Sequence, residues 1–160
     1  MIIRRALLSD EDAVWRIFQA VIAGGDTYVF APETSRGVAV EYFMRPGISS
    51  WVVEIQGEVV GMYKLIPNYL DLGSHVANAS FMVDPAAQGT GVGKAMGEHC
   101  LAQAKQAGYQ AMQFNYVVST NTAGVALWKK LGFAIVGTLP KAFRHSRLGL
   151  VDAYVMHRFL

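Results

Sequence analysis

Cysteine is almost missing from this chain. Cys100 is the single thiol in 160 residues, so no disulfide can form within it. Met96 and Ala104 flank it at four-residue spacing, which predicts a small buried residue on an apolar helix face. Charge is sparse too, at 16% of residues with a net charge of +2. So weak a basic excess predicts no nucleic-acid partner. His75, His99, His145 and His157 show no metal-ligand spacing, so no metal is expected. Apolar residues reach 52%, yet no unbroken run approaches the roughly 18 residues that a membrane span needs. The opening Met1-Ile2-Ile3-Arg4-Arg5 turns acidic by Asp10 and lacks the apolar stretch of a secretory leader. These absences predict a cytoplasmic chain with no membrane partner, built as one domain over residues 1–160.

Apolar periodicity supplies the elements. Ile2 to Ala6 reads as a strand. Ser9 or Asp10 caps a helix carrying Val14, Trp15, Phe18, Val21 and Ile22, and Gly24-Gly25 stops it. A second helix runs from about Thr34 to Met44. Trp51–Ile55 and Glu58–Ile66 alternate as strands about a Gln56-Gly57 turn. Val76–Val83 is a strand halted by Asp84-Pro85. A helix from about Gly91 to Gln106, a strand Ala111–Val118 and a helix Ser119–Lys130 capped by Ser119 or Thr120 follow. Strands Phe133–Thr138 and Val151–Phe159 close the chain. This order predicts an α/β fold with a mixed sheet and helices on both faces.

The segment Gln88-Gly89-Thr90-Gly91-Val92-Gly93-Lys94 joins a strand to a helix. Such a glycine-rich turn aims several unpaired backbone N–H groups, with the positive end of the helix dipole, at one spot suited to phosphate. A nucleoside-triphosphate loop needs Ser or Thr after its lysine, but Ala95 follows Lys94. A dinucleotide loop needs G-x-G-x-x-G and an acid about twenty residues on. Here the glycines alternate, and residues 109–115 hold no carboxylate.

Gln88-Gly89-Thr90-Gly91-Val92-Gly93 is similar to the Q/R-x-x-G-x-G/A motif of the GCN5-related N-acetyltransferase (GNAT) superfamily. The strand Ala79-Ser80-Phe81-Met82-Val83 and the turn Asp84-Pro85 precede it at the family's spacing. Asn121 and then Leu127-Trp128-Lys129-Lys130-Leu131-Gly132-Phe133 resemble its later N-x-x-A-x-x-L-Y-x-x-x-G-F pattern. The resemblance implies a mixed, mostly antiparallel seven-stranded sheet splayed between strands 4 and 5. It also implies acetyl-CoA as cosubstrate and an amine as acceptor, with direct transfer and no covalent enzyme intermediate. Phe81, Met82, Val83, Gln88, Gly89, Thr90, Gly91, Val92, Gly93, Lys94 and Asn121 become the expected cofactor-binding residues, with an amide near Met82 or Val83 facing the thioester oxygen. Two positions depart from the pattern. Gly124 stands where a small residue is usual, and Trp128 replaces the tyrosine that protonates the leaving thiolate in many members.

Within the family, Ile66-Pro67-Asn68-Tyr69, Gly73-Ser74-His75, Asn78-Ala79-Ser80-Phe81 and Phe114-Asn115 resemble segments of the yeast proline-analogue (azetidine-2-carboxylate) N-acetyltransferase group, which also has Trp at the tyrosine position. Its substrate-site asparagines map onto Asn78 and Asn115. Asparagine is disfavoured in strands, and both lie among apolar residues. They are the candidate catalytic pair, orienting the acceptor or the water that takes its proton. Tyr28 and Phe30, in the loop between the first two helices, are candidate substrate-binding walls beside them. Tyr69 and Tyr116 are the alternative proton donors. The acceptor is expected to be a small amine, an amino acid or proline analogue; a peptide amine, a phosphinothricin-like acid, or a non-catalytic sensor of acetyl-CoA are the alternatives. The apolar C-terminal strands would also permit a homodimer.

Overall fold

Strands form where apolar residues alternate and helices where they recur every three or four positions. The computed structural model describes residues 1–160. Its strands are β1 (Ile2–Arg5), β2 (Ser49–Ile55), β3 (Glu58–Pro67), β4 (Val76–Val83), β5 (Ala111–Val118), β6 (Ala134–His145) and β7 (Gly149–Phe159). Its α-helices are α1 (Glu11–Ile22), α2 (Arg36–Met44), α3 (Val92–Gln106) and α4 (Thr122–Lys130). The strands make one seven-stranded sheet in the order β1-β2-β3-β4-β5-β7-β6. Only β4 and β5 run parallel, and they share just two paired positions, Val76 with Ala111 and Ala77 with Met112. The mixed, splayed sheet with helices on both faces is the one the sequence predicts.

Strand alternation sorts side chains into two cores. Val52, Met62 and Met82 pack with Ile17, Phe18 and Phe43 of α1 and α2. Val53, Tyr63 and Ala79 face the other way and pack with Met96 and Cys100 of α3. The thiol of Cys100 is fully buried there, and burial pushes its pKa well above the ordinary value. It is a packing residue, not a nucleophile. Glycine leaves room between α3 and α4. A Cβ on Gly97 would meet Leu131 Cδ1 at 2.5 Å and Trp128 Cζ3 at 3.3 Å, so a side chain there would displace at least the Leu131 methyl.

Several boundaries differ from those expected, among them β2 and β7, which each start two residues earlier, at Ser49 and Gly149. Strand β6 runs past Pro140 to His145, where a stop near Thr138 is expected. It is an edge strand, and its register shifts between Leu139 and Phe143, which accommodates a residue with no N–H. Helix α4 is capped by Asn121, not by Ser119 or Thr120, because Asn121 Oδ1 accepts from Gly124 N–H at 3.0 Å. Helix α2 starts at Arg36 behind a Ser35 cap.

Asp84 fixes the turn that leads into the glycine loop. Its Oδ1 accepts from Ala86 N–H at 2.9 Å, and Oδ2 receives the Arg16 guanidinium of α1. Arg16 also donates to Val59 O at 2.7 Å, so one side chain joins α1, β3 and the turn. The Ala86 amide and the Arg16 guanidinium outweigh burial and hold the Asp84 carboxyl below its ordinary pKa. A carboxyl with a lowered folded pKa stabilises the fold fully above its unfolded value near pH 4, and loses that effect as pH falls through the folded value. Asp84→Asn is therefore expected to lower Tm at pH 7. It is also expected to give a shallower fall in Tm between about pH 4 and pH 2 than the natural chain shows. Superimposable Tm-against-pH curves would show that the carboxylate contributes nothing.

Candidate active site

The site begins where β4 and β5 part. Asn68 N–H donates to Val76 O at 2.7 Å and Asp84 N–H to Val60 O at 2.9 Å. Antiparallel alternation then turns the backbone groups of even-numbered β4 residues toward β3 and those of odd-numbered ones toward β5. Ala77 meets β5. Ala79, Phe81 and Val83 face a widening gap instead. One rung beyond the last paired residues, the Asn78 side chain steps across: its Nδ2 donates to Gln113 O at 3.0 Å. Further along, the Phe81 carbonyl accepts from Tyr28 Oη at 2.7 Å. The N–H groups of Phe81 and Val83 remain aimed into the gap.

The glycine loop stands at the end of this gap. Gly89 and Gly91 have φ of 77° and 89°, in the left-handed region that a side chain disfavours. Their Cβ positions would meet nothing within 4 Å, so backbone conformation alone demands glycine there. Gln88 N–H turns back to Pro85 O, Thr90 N–H to Ala87 O, and the first helical bond is Ala95 N–H to Gly91 O. No protein acceptor takes the N–H groups of Gly89, Gly91, Val92, Gly93 or Lys94. Four of these are the orphan donors of the start of α3, an anion cradle at its positive end. A diphosphate fits that donor set. The Lys94 side chain is exposed, and its ammonium lies 3.7 Å from Glu98.

A cavity of about 610 Å³ runs from the loop through the gap. On the α4 side its wall is Phe81, Phe114, Asn121, Leu127 and Trp128. Trp128 packs against Phe81 and Phe114 with ring centres 4.8 and 4.7 Å away. On the α1 and α2 side the wall is Tyr28, Tyr42, Asn78, Ser80, Asn115 and Tyr116. None of the 25 lining residues carries an Asp, Glu, His, Lys or Arg side chain. The polar groups there are hydroxyls and amides. Burial raises the pKa of Tyr28, Tyr42 and Tyr116, so these phenols stay protonated at neutral pH.

The structure brings most of the expected residues to this cavity, with exceptions. Asn78 and Asn115 both line it, as does Tyr28. Phe30 does not. It packs behind Tyr28 and Tyr42, with centroids 6.3 and 4.9 Å away, as a support for the wall. Met82 lines the cavity, but its even-numbered amide belongs to the β3 side, so Phe81 and Val83 supply the free donors instead. Thr90, Gly91, Val92 and Lys94 stand off the wall; Val92 is buried in the core behind the loop. Tyr69 is 65% exposed and does not reach the cavity. Tyr116 donates to Ala142 O at 2.5 Å. Asn115 holds Asn68 Oδ1 at 2.7 Å through its Nδ2 and accepts from Gln113 Nε2 at 2.9 Å. Sequence reasoning missed Ser80 and Tyr42, joined by a 2.8 Å hydroxyl contact on the wall. Ser80 was within reach, since it follows Asn78 at the two-residue period of a strand face. Tyr42 depends on where α2 docks, which no local pattern states.

Residues 15–133 match the acetyltransferase (GNAT) family. The chain is 40% identical to a GCN5-related N-acetyltransferase from Kribbella flavida, with a TM-score of 0.95 over 99% of this chain and 97% of that one. It is 26% identical to the N-acetyltransferase aca1 of Schizosaccharomyces pombe, over 82% of this chain and 71% of that protein. A structure of yncA from Salmonella typhimurium with its cofactor acetyl-CoA shares the fold at 22% identity and a TM-score of 0.87, over 100% of this chain and 94% of that one. The chain belongs to the GNAT family of acetyltransferases and is an acyltransferase. Replacing Gly91 by alanine forces a side chain into a left-handed N-cap and turns the cradle. Calorimetry with coenzyme A is expected to show at least a tenfold weaker Kd for Gly91→Ala, about 1.4 kcal/mol. An unchanged Kd would mean that the loop does not hold the diphosphate.

Proposed function

We propose that residues 1–160 act as a single domain that transfers acetyl from acetyl-CoA directly to the amine of a small molecule, an amino acid or proline analogue. One observation carries this reading: a cradle of unpaired amides opens into an uncharged cavity between two parted strands. The acetyl-CoA bound by yncA of Salmonella typhimurium in the same fold supports the choice of donor. Asn121 has Nδ2 left over from its capping bond, beside the path that the pantetheine arm would take. The odd-numbered edge of β4 offers that arm a strand to pair with.

The residues divide the chemistry. Phe81 or Val83 N–H stands where a thioester oxygen would gain negative charge, a placement worth about 3–4 kcal/mol of barrier. Asn78 has Nδ2 committed to Gln113 O, so its Oδ1 is left to accept an N–H from the acceptor amine. That bond points the amine lone pair along the gap. No lining side chain has the pKa of a general base, so the proton of an ammonium acceptor leaves through water. Trp128 has no acidic hydroxyl to give. The leaving thiolate needs none, since a thiol with a pKa near 8.5 is a tolerable anion. The short segments shared with the proline-analogue enzymes, and Trp128 itself, favour a cyclic amino acid as acceptor.

Free thiol release from acetyl-CoA against a panel of amines tests this reading. Turnover is expected with azetidine-2-carboxylate or hydroxyproline. Release only with peptides would move the acceptor to protein, and coenzyme A binding with no release from any amine would leave a sensor. Asn78→Ala and Asn115→Ala are each expected to lower kcat/KM at least tenfold, about 1.4 kcal/mol. The pH profile of kcat/KM is expected to rise with pH and follow the pKa of the acceptor amine. A lower inflection that stayed fixed across acceptors would reveal a protein base and overturn this part of the mechanism.

A further inference from the structure

This inference rests on the acetyltransferase reading and adds three residues to it. Lys64 of β3 is 5% exposed, yet it belongs to none of the ion pairs in the structure. Its Nζ donates to Tyr42 O at 2.9 Å, among the last carbonyls of α2, and stands 3.1 Å from the centre of the Tyr42 ring. Its cross-strand neighbours, Ser50 and Ser80, are neutral. The Ser50 hydroxyl is already bound to Phe43 O. A buried ammonium normally has a carboxylate partner. Here a helix C-terminus and an aromatic face stand in its place; burial and the nearby Arg45 lower the Lys64 pKa to about 8, which leaves it mostly charged at pH 7.

Tyr42 lines the cavity, and Lys64 does not reach it. The Tyr42 and Ser80 hydroxyls, 2.8 Å apart, share a single hydrogen bond whichever of them donates. Ser80 also lies beside the Tyr28 hydroxyl, so the wall presents a chain of hydroxyls whose donors can turn toward a ligand. Hydroxyls in front of a cation that has no carboxylate partner, in a cavity with no acidic side chain, suit an anion. Asn78 stands two residues along on the same face of β4, with its Oδ1 ready for an N–H donor. We propose that Tyr42 and Ser80, backed by the Lys64 charge, form the subsite that binds the acceptor's carboxylate and so select an amino acid over a simple amine.

The experiment compares α-amino acids with their carboxamides, the acid and the amide of azetidine-2-carboxylate included, by thiol release from acetyl-CoA. The natural chain is expected to prefer the acids at least tenfold in kcat/KM. Tyr42→Phe, Ser80→Ala and Lys64→Met are expected to cut that acid-to-amide ratio at least tenfold, mainly through KM for the acids. Lys64→Gln keeps a donor for the Tyr42 carbonyl but removes the charge. It is expected to lose the ratio while melting near the natural chain, so a folding defect in Lys64→Met does not hide the result. Equal turnover of acids and amides by the natural chain, or variants that slow both alike, would overturn the subsite and leave the acetyltransferase reading standing. No release from any amine would sink that reading first.

Discussion

One hydrogen bond marks where the sheet stops being a sheet. The Asn78 side chain takes the Gln113 carbonyl at the rung where β4 and β5 would otherwise go on pairing. A carbonyl shut off from solvent and left unpaired would cost about 1–3 kcal/mol. With that carbonyl satisfied by a side chain, the two strands can diverge, and the donors of Phe81 and Val83 stay free for a ligand. The cavity, the exposure of the β4 edge and the placement of Trp128 between Phe81 and Phe114 all follow from that divergence.

Much of this was legible in the sequence because it is written in local chemistry. Alternating runs give the strands, and positive-φ glycines at 89 and 91 give the loop. The strand asparagines point to the cavity. Other features were illegible for stated reasons. Pro140 reads as a strand stop, yet an edge strand with a register shift absorbs it. Phe30 looks like a wall residue from its loop, but the wall is one ring further in. Met82 sits between two residues that face the gap, and a single step along a strand reverses its backbone groups as it does its side chain. Lys64 sits amid Met62, Tyr63 and Leu65, and a lysine at that place says nothing until α2 has docked on it.

The acceptor side of the cavity works by dipoles. Tyr28 is held by Phe81 O, Tyr42 by Ser80, and Asn115 by Asn68 and Gln113, so each polar group has a fixed direction before any ligand arrives. Fixed dipoles need no reorganisation during transfer, whereas solvent dipoles do. Burial that raises the phenol pKa values keeps these hydroxyls as donors across the neutral range.

Asn121 and Gly124 form one unit of a different kind. A Cβ on residue 124 would lie 2.7 Å from Asn121 Nδ2, so the capping amide sits closer to its neighbour than a side chain there would allow without a shift. Glycine inside a helix costs about 1 kcal/mol, and an asparagine cap restores about as much. Energetically the two nearly cancel, and what survives is a direction, an amide hydrogen held on the cavity rim. A side chain at residue 124 would push that amide to a new angle. The missing side chain at residue 124 therefore sets the aim of a ligand-facing group rather than the strength of the helix.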